Sequence, residues 1–362
     1  MNPLPEKESR IRVGITHGDV NGIGYEVIIK TLQDPRLIET HTIIVYGSSK
    51  VASYHRKTIN LNDSNFNLIK KPDAAHSHRP NIINIVEDEV KLDLGKSTTT
   101  AGELAHLALE MATDDLLKNN IDVLVTAPIN KKNIQSPGFI FPGHTEYLAQ
   151  KFKAGDHLML MVSEGIRIGV ITGHMPLSKV PGELNEDLII GKIKILNYSL
   201  MRDFGIIKPR IAILSLNPHA GDEGLLGNEE ITIIKPAIEK AYNQDILVFG
   251  PFPADGFFGS SKMKHFDGIL AMYHDQGMIP FKLASFDNGV NFTAGLPFVR
   301  TSPAHGTAYE IAGKNEANPE AFRNAVYMAC DIFNNRKTYD ELRANSLFSA
   351  PAEPESQNNN GN

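Results

Sequence analysis

A single cysteine, Cys330, among 362 residues excludes a disulfide framework and any cysteine-built zinc or iron–sulfur centre. No apolar run approaches the roughly 20 residues needed to span a bilayer, so no membrane-spanning segment is expected. Positive charge is not in excess: 36 Lys and Arg against 42 Asp and Glu leave a net charge of −6. Without a general basic surface, nonspecific nucleic-acid binding has no electrostatic support. The opening MNPLPEKESR has no apolar stretch, so no secretory signal is expected, and the expected location is cytoplasmic. Two nucleotide signatures are also missing. The turn Gly18-Asp19-Val20-Asn21-Gly22-Ile23-Gly24 lacks the third glycine of the Rossmann fingerprint, and no Walker sequence occurs. There is no Gly-x-Ser-x-Gly nucleophile motif.

What remains is the composition of a soluble globular protein, 41% hydrophobic and 22% charged. At about 150 residues per domain, the length suggests two domains. Short apolar runs at 11–16, 42–45 and 81–86 read as strands, and the polar stretch 60–80, with His76 and His78, reads as a surface loop. From Thr100 to Asn120 the apolar spacing is helical, and Thr100-x-x-Glu103 fits a capping box. IDVLVTAP is a strand, GHTEYLAQKF contains a helix start, and HLMLMV and IRIGVIT form a hairpin around Ser163-Glu164-Gly165. Residues 185–203 and 229–242 read as helices, RIAILSL, ILVFG and GILAMY as strands, and 318–333 as the last major helix, with Pro319 in its first turn. There Cys330 is expected to be a buried, inert thiol. The segment SAPAEPESQNNNGN, 349–362, is expected to be disordered. This alternation predicts an α/β fold with a mixed, largely parallel sheet.

Ligands of such sheets bind beyond the carboxyl ends of strands. Histidines cluster there: His17, His174, His219 and His274 each follow an apolar strand, and His144 stands at a helix start. Three neutral imidazoles, from His174, His219 and His274, can hold a divalent ion that polarises a hydroxyl; three separately bonded loop histidines are the plainer alternative. The glycine turn at 18–24 is either an anion cradle or a structural knot. Lys282, Asn291 and Arg300 follow within strand-like segments and suit phosphate or carboxylate, unless they are surface polarity. Asp255, after ILVFG, could act as a base or simply form an Asx turn. His305 and Gly306 could reach a cofactor pyrophosphate.

The motifs THGDVNGIGYEV, VTAPINK, PGHTEYLA, ITGHMPL, LNPHAG, GPFPAD, MYHDQGMIPFK and GVNFTAGLPFVRTSPAHGTA together resemble the 4-hydroxythreonine-4-phosphate dehydrogenase family of pyridoxine 5′-phosphate biosynthesis. Asn130 departs from the pattern, standing where some members carry histidine. The resemblance implies an isocitrate/isopropylmalate-dehydrogenase-like fold. Its first, discontinuous domain would be 1–128 with about 290–345, and its second, about 129–289, would carry the metal-site loops. It also implies NAD or NADP as cofactor, zinc, cobalt or magnesium on His174, His219 and His274, and substrate contacts at His144, Thr145, Lys282, Asn291 and Arg300. His144 and Asp255 are the candidate catalytic groups. The implied reaction oxidises 4-phosphohydroxy-L-threonine, and the product decarboxylates to 3-amino-2-oxopropyl phosphate. A related substrate, erythronate or threonate 4-phosphate, is the alternative, and a metal-dependent hydrolase using Asp275 is a more distant one. A homodimer with shared metal sites is implied, with His174 and His219 from one subunit and His274 from the other.

Overall fold

In the computed structural model, residues 10–62, 65–285 and 287–344 are described. The strands are β1 (Arg12–Thr16), β2 (Thr42–Gly47), β3 (Asn67–Ile69), β4 (Asn81–Asn84), β5 (Val123–Thr126) and β6 (Leu158–Ser163). They continue with β7 (Ile166–Thr172), β8 (Ile211–Leu214), β9 (Val248–Phe252), β10 (Gly268–Tyr273), β11 (Val290–Ala294) and β12 (Val299–Pro303). All belong to one sheet, ordered β3-β4-β2-β1-β5-β12-β11-β6-β7-β10-β8-β9. The expected mixed, largely parallel sheet is present.

Its pairings have a consequence that the sequence did not signal. β1, β2, β3, β4, β5 and β12 run parallel to one another, as do β7, β8, β9 and β10. Between these wings every contact is antiparallel: β12 with β11, β11 with β6, and β6 with β7. Three reversals make the wings run in opposite directions. A site at their junction therefore draws on strand faces as well as strand ends.

The helices are α1 (Gly24–Thr31), α2 (Pro35–Thr40), α3 (Ser49–Thr58), α4 (Thr99–Leu117), α5 (His144–Lys151) and α6 (Val180–Glu183). They continue with α7 (Glu186–Arg202), α8 (Lys235–Tyr242), α9 (Ala254–Phe258), α10 (His274–Ala284) and α11 (Glu320–Ala344). The apolar stripe of α4, from Leu104 to Leu116, is buried against β1, β2 and β5. None among the described residues is long and apolar enough to cross a membrane.

Several expectations shift. The cap of α4 is Thr98, not Thr100: its hydroxyl accepts from the Ala101 amide at 3.2 Å and also from the Asn21 side chain, a tertiary bond no local pattern reveals. The 60–80 segment holds the edge strand β3 within its polar sequence. Residues Glu230–Ile234 form a π-helical turn ahead of α8, because Pro236 has no N–H to give to the carbonyl of Thr232. FKLA is not strand-like but closes α10, so Lys282 is a helical residue. Pro319 precedes α11 rather than entering it, and Asn318 accepts from the Glu320 amide. α11 also outruns its expected end at 333. The buried Arg336 within it pairs with buried Asp203 at 2.6 Å and bonds the carbonyls of Leu296 and Pro297. Cys330 is buried there, as expected, and its thiol is pushed up by desolvation. The 349–362 tail lies outside the described residues.

The glycine turn at 18–24 is a knot, not a cradle. A Cβ on Gly18 would stand 2.3 Å from the carbonyl oxygen of Pro128, and one on Gly24 2.2 Å from that of His17. The amides of Asp19, Asn21, Gly22 and Ile23 are all spent on protein acceptors. His17 is a core residue: His17, Tyr25 and His55 stack with ring centroids 5.3 and 5.2 Å apart. Burial lowers both imidazoles from 6.5 to about 4. Between these values the unfolded chain binds protons that the folded one refuses, so stability falls as pH drops from 6.5 towards 4. Each histidine contributes a slope of at most ~1.4 kcal/mol per pH unit. Urea unfolding across this range should show the decline, and His55→Phe should make it shallower; an unchanged slope would place proton uptake elsewhere.

Candidate active site

A cavity of about 460 Å³ opens at the junction of the wings. Its size suits a small ligand. His144, Thr145, His174, His274, Lys282, Asn291, Arg300, His305 and Gly306 all line it. Arg300 and Ser302 on β12 and Asn291 on β11 reach it from the sheet face, α5 enters with its uncapped N-terminus, and His174 and His274 arrive from the ends of β7 and β10.

Arg300 dominates the electrostatics. Its side chain is 2% exposed, and its guanidinium bonds only the Thr126 hydroxyl, at 3.1 and 2.6 Å. Among the described residues no carboxylate is within ion-pair distance of it. Desolvation drags its pKa down to about 10, against a partial lift from Glu146. A buried, unpaired cation is costly and is sustained where an anion arrives to neutralise it. Lys131 and Lys282 line the same cavity, with no carboxylate partner among the described residues. Burial, then Arg300 and Lys131, hold His144 well below the usual imidazole range, so it stays neutral. Among the described residues, buried Nε2 of His144, Oδ1 of Asn291 and Nε2 of His305 have no hydrogen-bond partner. Buried polar atoms are ordinarily bonded, so three orphans around one cavity are candidate contact points.

The histidine triad is assembled only in part. β7 and β10 are parallel neighbours with Thr172 opposite Tyr273, which sets the rings of His174 and His274 5.1 Å apart in one chain. Burial, followed by Lys131 and His274, lowers His174. His274 Nδ1 donates to Asp275 at 2.7 Å, leaving Nε2 free to ligate. His219 does not join them, and no group of three metal-binding side chains forms among the described residues. After β8 the buried carboxylate of Glu230 takes the amides of Leu216 and Asn217, both at 2.8 Å. The backbone from His219 to Glu223 then runs at positive φ, leaving His219 exposed. The resemblance groups His174 with His219 and sets His274 apart; within this chain it is His174 and His274 that lie side by side. Asp255, exposed in the first turn of α9, also lies outside the cavity.

Residues 39–329 match the family described as pyridoxal phosphate biosynthetic protein PdxA. The chain belongs to the PdxA family. A 4-hydroxythreonine-4-phosphate dehydrogenase of Bacteroides thetaiotaomicron is 50% identical over 342 residues, 94% of this chain and 94% of that protein. A D-threonate 4-phosphate dehydrogenase of Pectobacterium atrosepticum is 37% identical, over 88% of this chain and 98% of that one. Among solved structures, a 4-hydroxythreonine-4-phosphate dehydrogenase from Klebsiella pneumoniae superposes with a TM-score of 0.76 at 36% identity, covering 91% of this chain and 99% of that one. The chain is thus an oxidoreductase, a PdxA-type dehydrogenase.

Three cavity residues of this PdxA-family chain escaped sequence reasoning. Lys131 lies in the loop that leaves β5, beyond Ala127-Pro128-Ile129-Asn130, so the strand-end rule could have found it. Glu146 stands inside the GHTE motif. Lys192 interrupts the buried stripe of α7 and is neutralised by Asp156 at 2.5 Å and the carbonyl of His157. Asn130, the departure from the family pattern, accepts from the amides of Lys132 and Asn133 and so fixes the turn that presents Lys131. If Arg300 is held ready for an anion, Arg300→Met should keep or raise the thermal midpoint without ligand, for a gain of up to about 4 kcal/mol in unfolding free energy. The stabilisation given by inorganic phosphate should vanish in the same variant. A lowered midpoint with an intact phosphate response would show that Arg300 serves the fold instead.

Proposed function

We propose that this chain oxidises the secondary alcohol of 4-phosphohydroxy-L-threonine with NAD or NADP, in pyridoxine 5′-phosphate biosynthesis. The product, 2-amino-3-oxo-4-phosphooxybutanoate, is a β-keto acid. Its carbonyl accepts the electron pair as CO₂ leaves, giving 3-amino-2-oxopropyl phosphate. The buried, unpaired guanidinium of Arg300 carries this reading, because with Lys131 and Lys282 it suits a substrate bearing both phosphate and carboxylate. The 50% identity to a protein named for this substrate favours it over a threonate or erythronate 4-phosphate. A hydrolase is disfavoured, since the carboxylate of Asp275 is occupied in holding His274.

The donor set fits a divalent ion: two adjacent imidazoles, one of them oriented by a carboxylate. His174 and His274 of one chain would hold it together with His219 of the partner subunit. β8 and β9 are paired neighbours, and the segments that follow them bear exposed His219 and Asp255; one edge of a second copy would bring both to the cavity. Leu225 at 79% and Leu283 at 82% exposure give such a homodimer apolar surface beside these residues. Zinc, cobalt or magnesium would supply electrophilic activation of a hydroxyl, and a nicotinamide the hydride acceptor.

The chain's own groups bind and orient. Arg300 and Lys282 hold the anionic ends of the substrate, with the uncapped amides of α5 and the hydroxyl of Thr145 beside them. His144, kept neutral, offers Nε2 as a hydrogen-bonding point without adding charge, and Asn291 offers Oδ1. Asp255 is the candidate to move the proton once the dimer forms. His305, whose Nδ1 lies 3.0 Å from the carbonyl of Gly306, keeps Nε2 for the dinucleotide. The cavity draws on both expected units, 1–128 with 290–345 and 129–289, which supports a two-domain cleft. The buried, unpaired cysteine accords with a cytoplasmic setting.

Absorbance assays of nicotinamide reduction should show turnover of 4-phosphohydroxy-L-threonine that a chelator abolishes and zinc, cobalt or magnesium restores. Full activity in protein shown by elemental analysis to be metal-free would remove the ion from the reading. Site assembly has its own test. Co-refolding His174→Ala with His219→Ala chains should return roughly 25% of wild-type activity, because half the dimers are hybrids with one intact site of two. Co-refolding His174→Ala with His274→Ala should return none, since each site then lacks one ligand. The reverse pattern would restore the grouping first implied by the resemblance.

A further inference from the structure

We propose that Glu146 recognises the α-ammonium group of the substrate and so selects a phosphorylated amino acid over the corresponding hydroxy acid. The inference rests on the substrate class proposed above and asks what distinguishes its members. Glu146 is the only carboxylate lining the cavity among the described residues. With Lys192 neutralised by Asp156, three cations there lack a carboxylate partner: Lys131, Lys282 and Arg300. 4-Phosphohydroxy-L-threonine presents a doubly charged phosphate, a carboxylate and one ammonium. Three cations and one carboxylate mirror that inventory, anion for cation.

The placement agrees. Oε2 of Glu146 stands 3.5 Å from where a Cβ on Gly143 would lie, and Cε of Lys131 stands 3.6 Å from the same point, so both flank the entry to α5. Glu146 lines the same cavity as His174, His274 and Arg300, and its charge acts on both His174 and Arg300. Yet it forms no ion pair with any of the cavity's cations, and no hydrogen bond engages it among the described residues. A glutamate in a first helical turn also favours the helix dipole, but that needs no cavity. A half-buried carboxylate with free lone pairs suits a group with three N–H donors. A 2-hydroxy analogue replaces that cation with a neutral hydroxyl and leaves the carboxylate without its charge partner, which is how a polar site discriminates.

The test is calorimetric titration of the full-length protein, without cofactor, using two ligands that differ only at C2: 4-phosphohydroxy-L-threonine and the matching 2-hydroxy acid 4-phosphate. Wild type should bind the amino acid at least tenfold more tightly, and Glu146→Gln should shrink that ratio by about 10–100-fold. Should E146Q not fold, Glu146→Asp answers instead, since a shorter reach should also shrink the ratio. An unchanged ratio with both ligands weakened alike would make Glu146 a helix-stabilising residue and overturn the proposal. So would a wild-type preference for the hydroxy acid, or a ratio that moves with Asp255→Asn but not with E146Q. Turnover separates the two readings: an E146Q ratio that falls in an enzyme unable to reduce nicotinamide refutes the reaction, not the recognition. Normal turnover with an unmoved ratio refutes the recognition alone.

Discussion

The reversal of strand direction at the middle of the sheet is the constraint on which the site depends. In a uniformly parallel sheet every strand delivers its carboxyl end to one rim, and a ligand gathers loops there. Here β11 and β6 turn the two wings against each other, so no single rim serves both. The cavity lies across the junction instead. Ends of β7 and β10 supply imidazoles, the face of β12 supplies Arg300, and the face of β11 supplies Asn291. A cation on the face of a central strand is desolvated, which is why the pKa of Arg300 is dragged down.

Charge and neutrality are divided among these side chains. Among the described residues Arg300, Lys131 and Lys282 have no carboxylate partner, while burial and neighbouring cations favour the neutral forms of His144 and His174. Neutral imidazoles retain lone pairs for ligation or hydrogen bonding, and unpaired cations retain attraction for anions. The same burial acts on His17 and His55 in the stack with Tyr25, where it serves packing alone. One residue type following strands thus performs two tasks, and only the surrounding charge separates them.

Much of this was legible in the sequence. Apolar runs located most strands, since a strand buried on both faces reads as continuous Val, Ile and Leu, and nine of the eleven candidate site residues line one cavity. The errors share a cause. Thr98 and the length of α11 depend on partners far along the chain, Asn21 and Asp203, and the course of the His219 loop on Glu230, beyond any helix or strand period. The edge strand β3 hid in polar sequence because one of its flanks has no pairing strand. Lys131, Glu146 and Lys192 carried charge in places where charge alone is ambiguous, and only enclosure gave it meaning. His219 and Asp255 mark the reach of single-chain reasoning.

The sheet order also bears on how the chain emerges from the ribosome. The two strands that join the wings, β11 and β12, come from residues 290–303, after every other strand in chain order. Until they appear, β5 and β6 present bare edges of unpaired amides and carbonyls, the kind of template that invites pairing with a neighbouring nascent chain. Each wing can pair its remaining strands early, but the ledge on which Arg300 and Asn291 stand is laid after every other strand. The cavity is therefore closed late, with α11 still to follow.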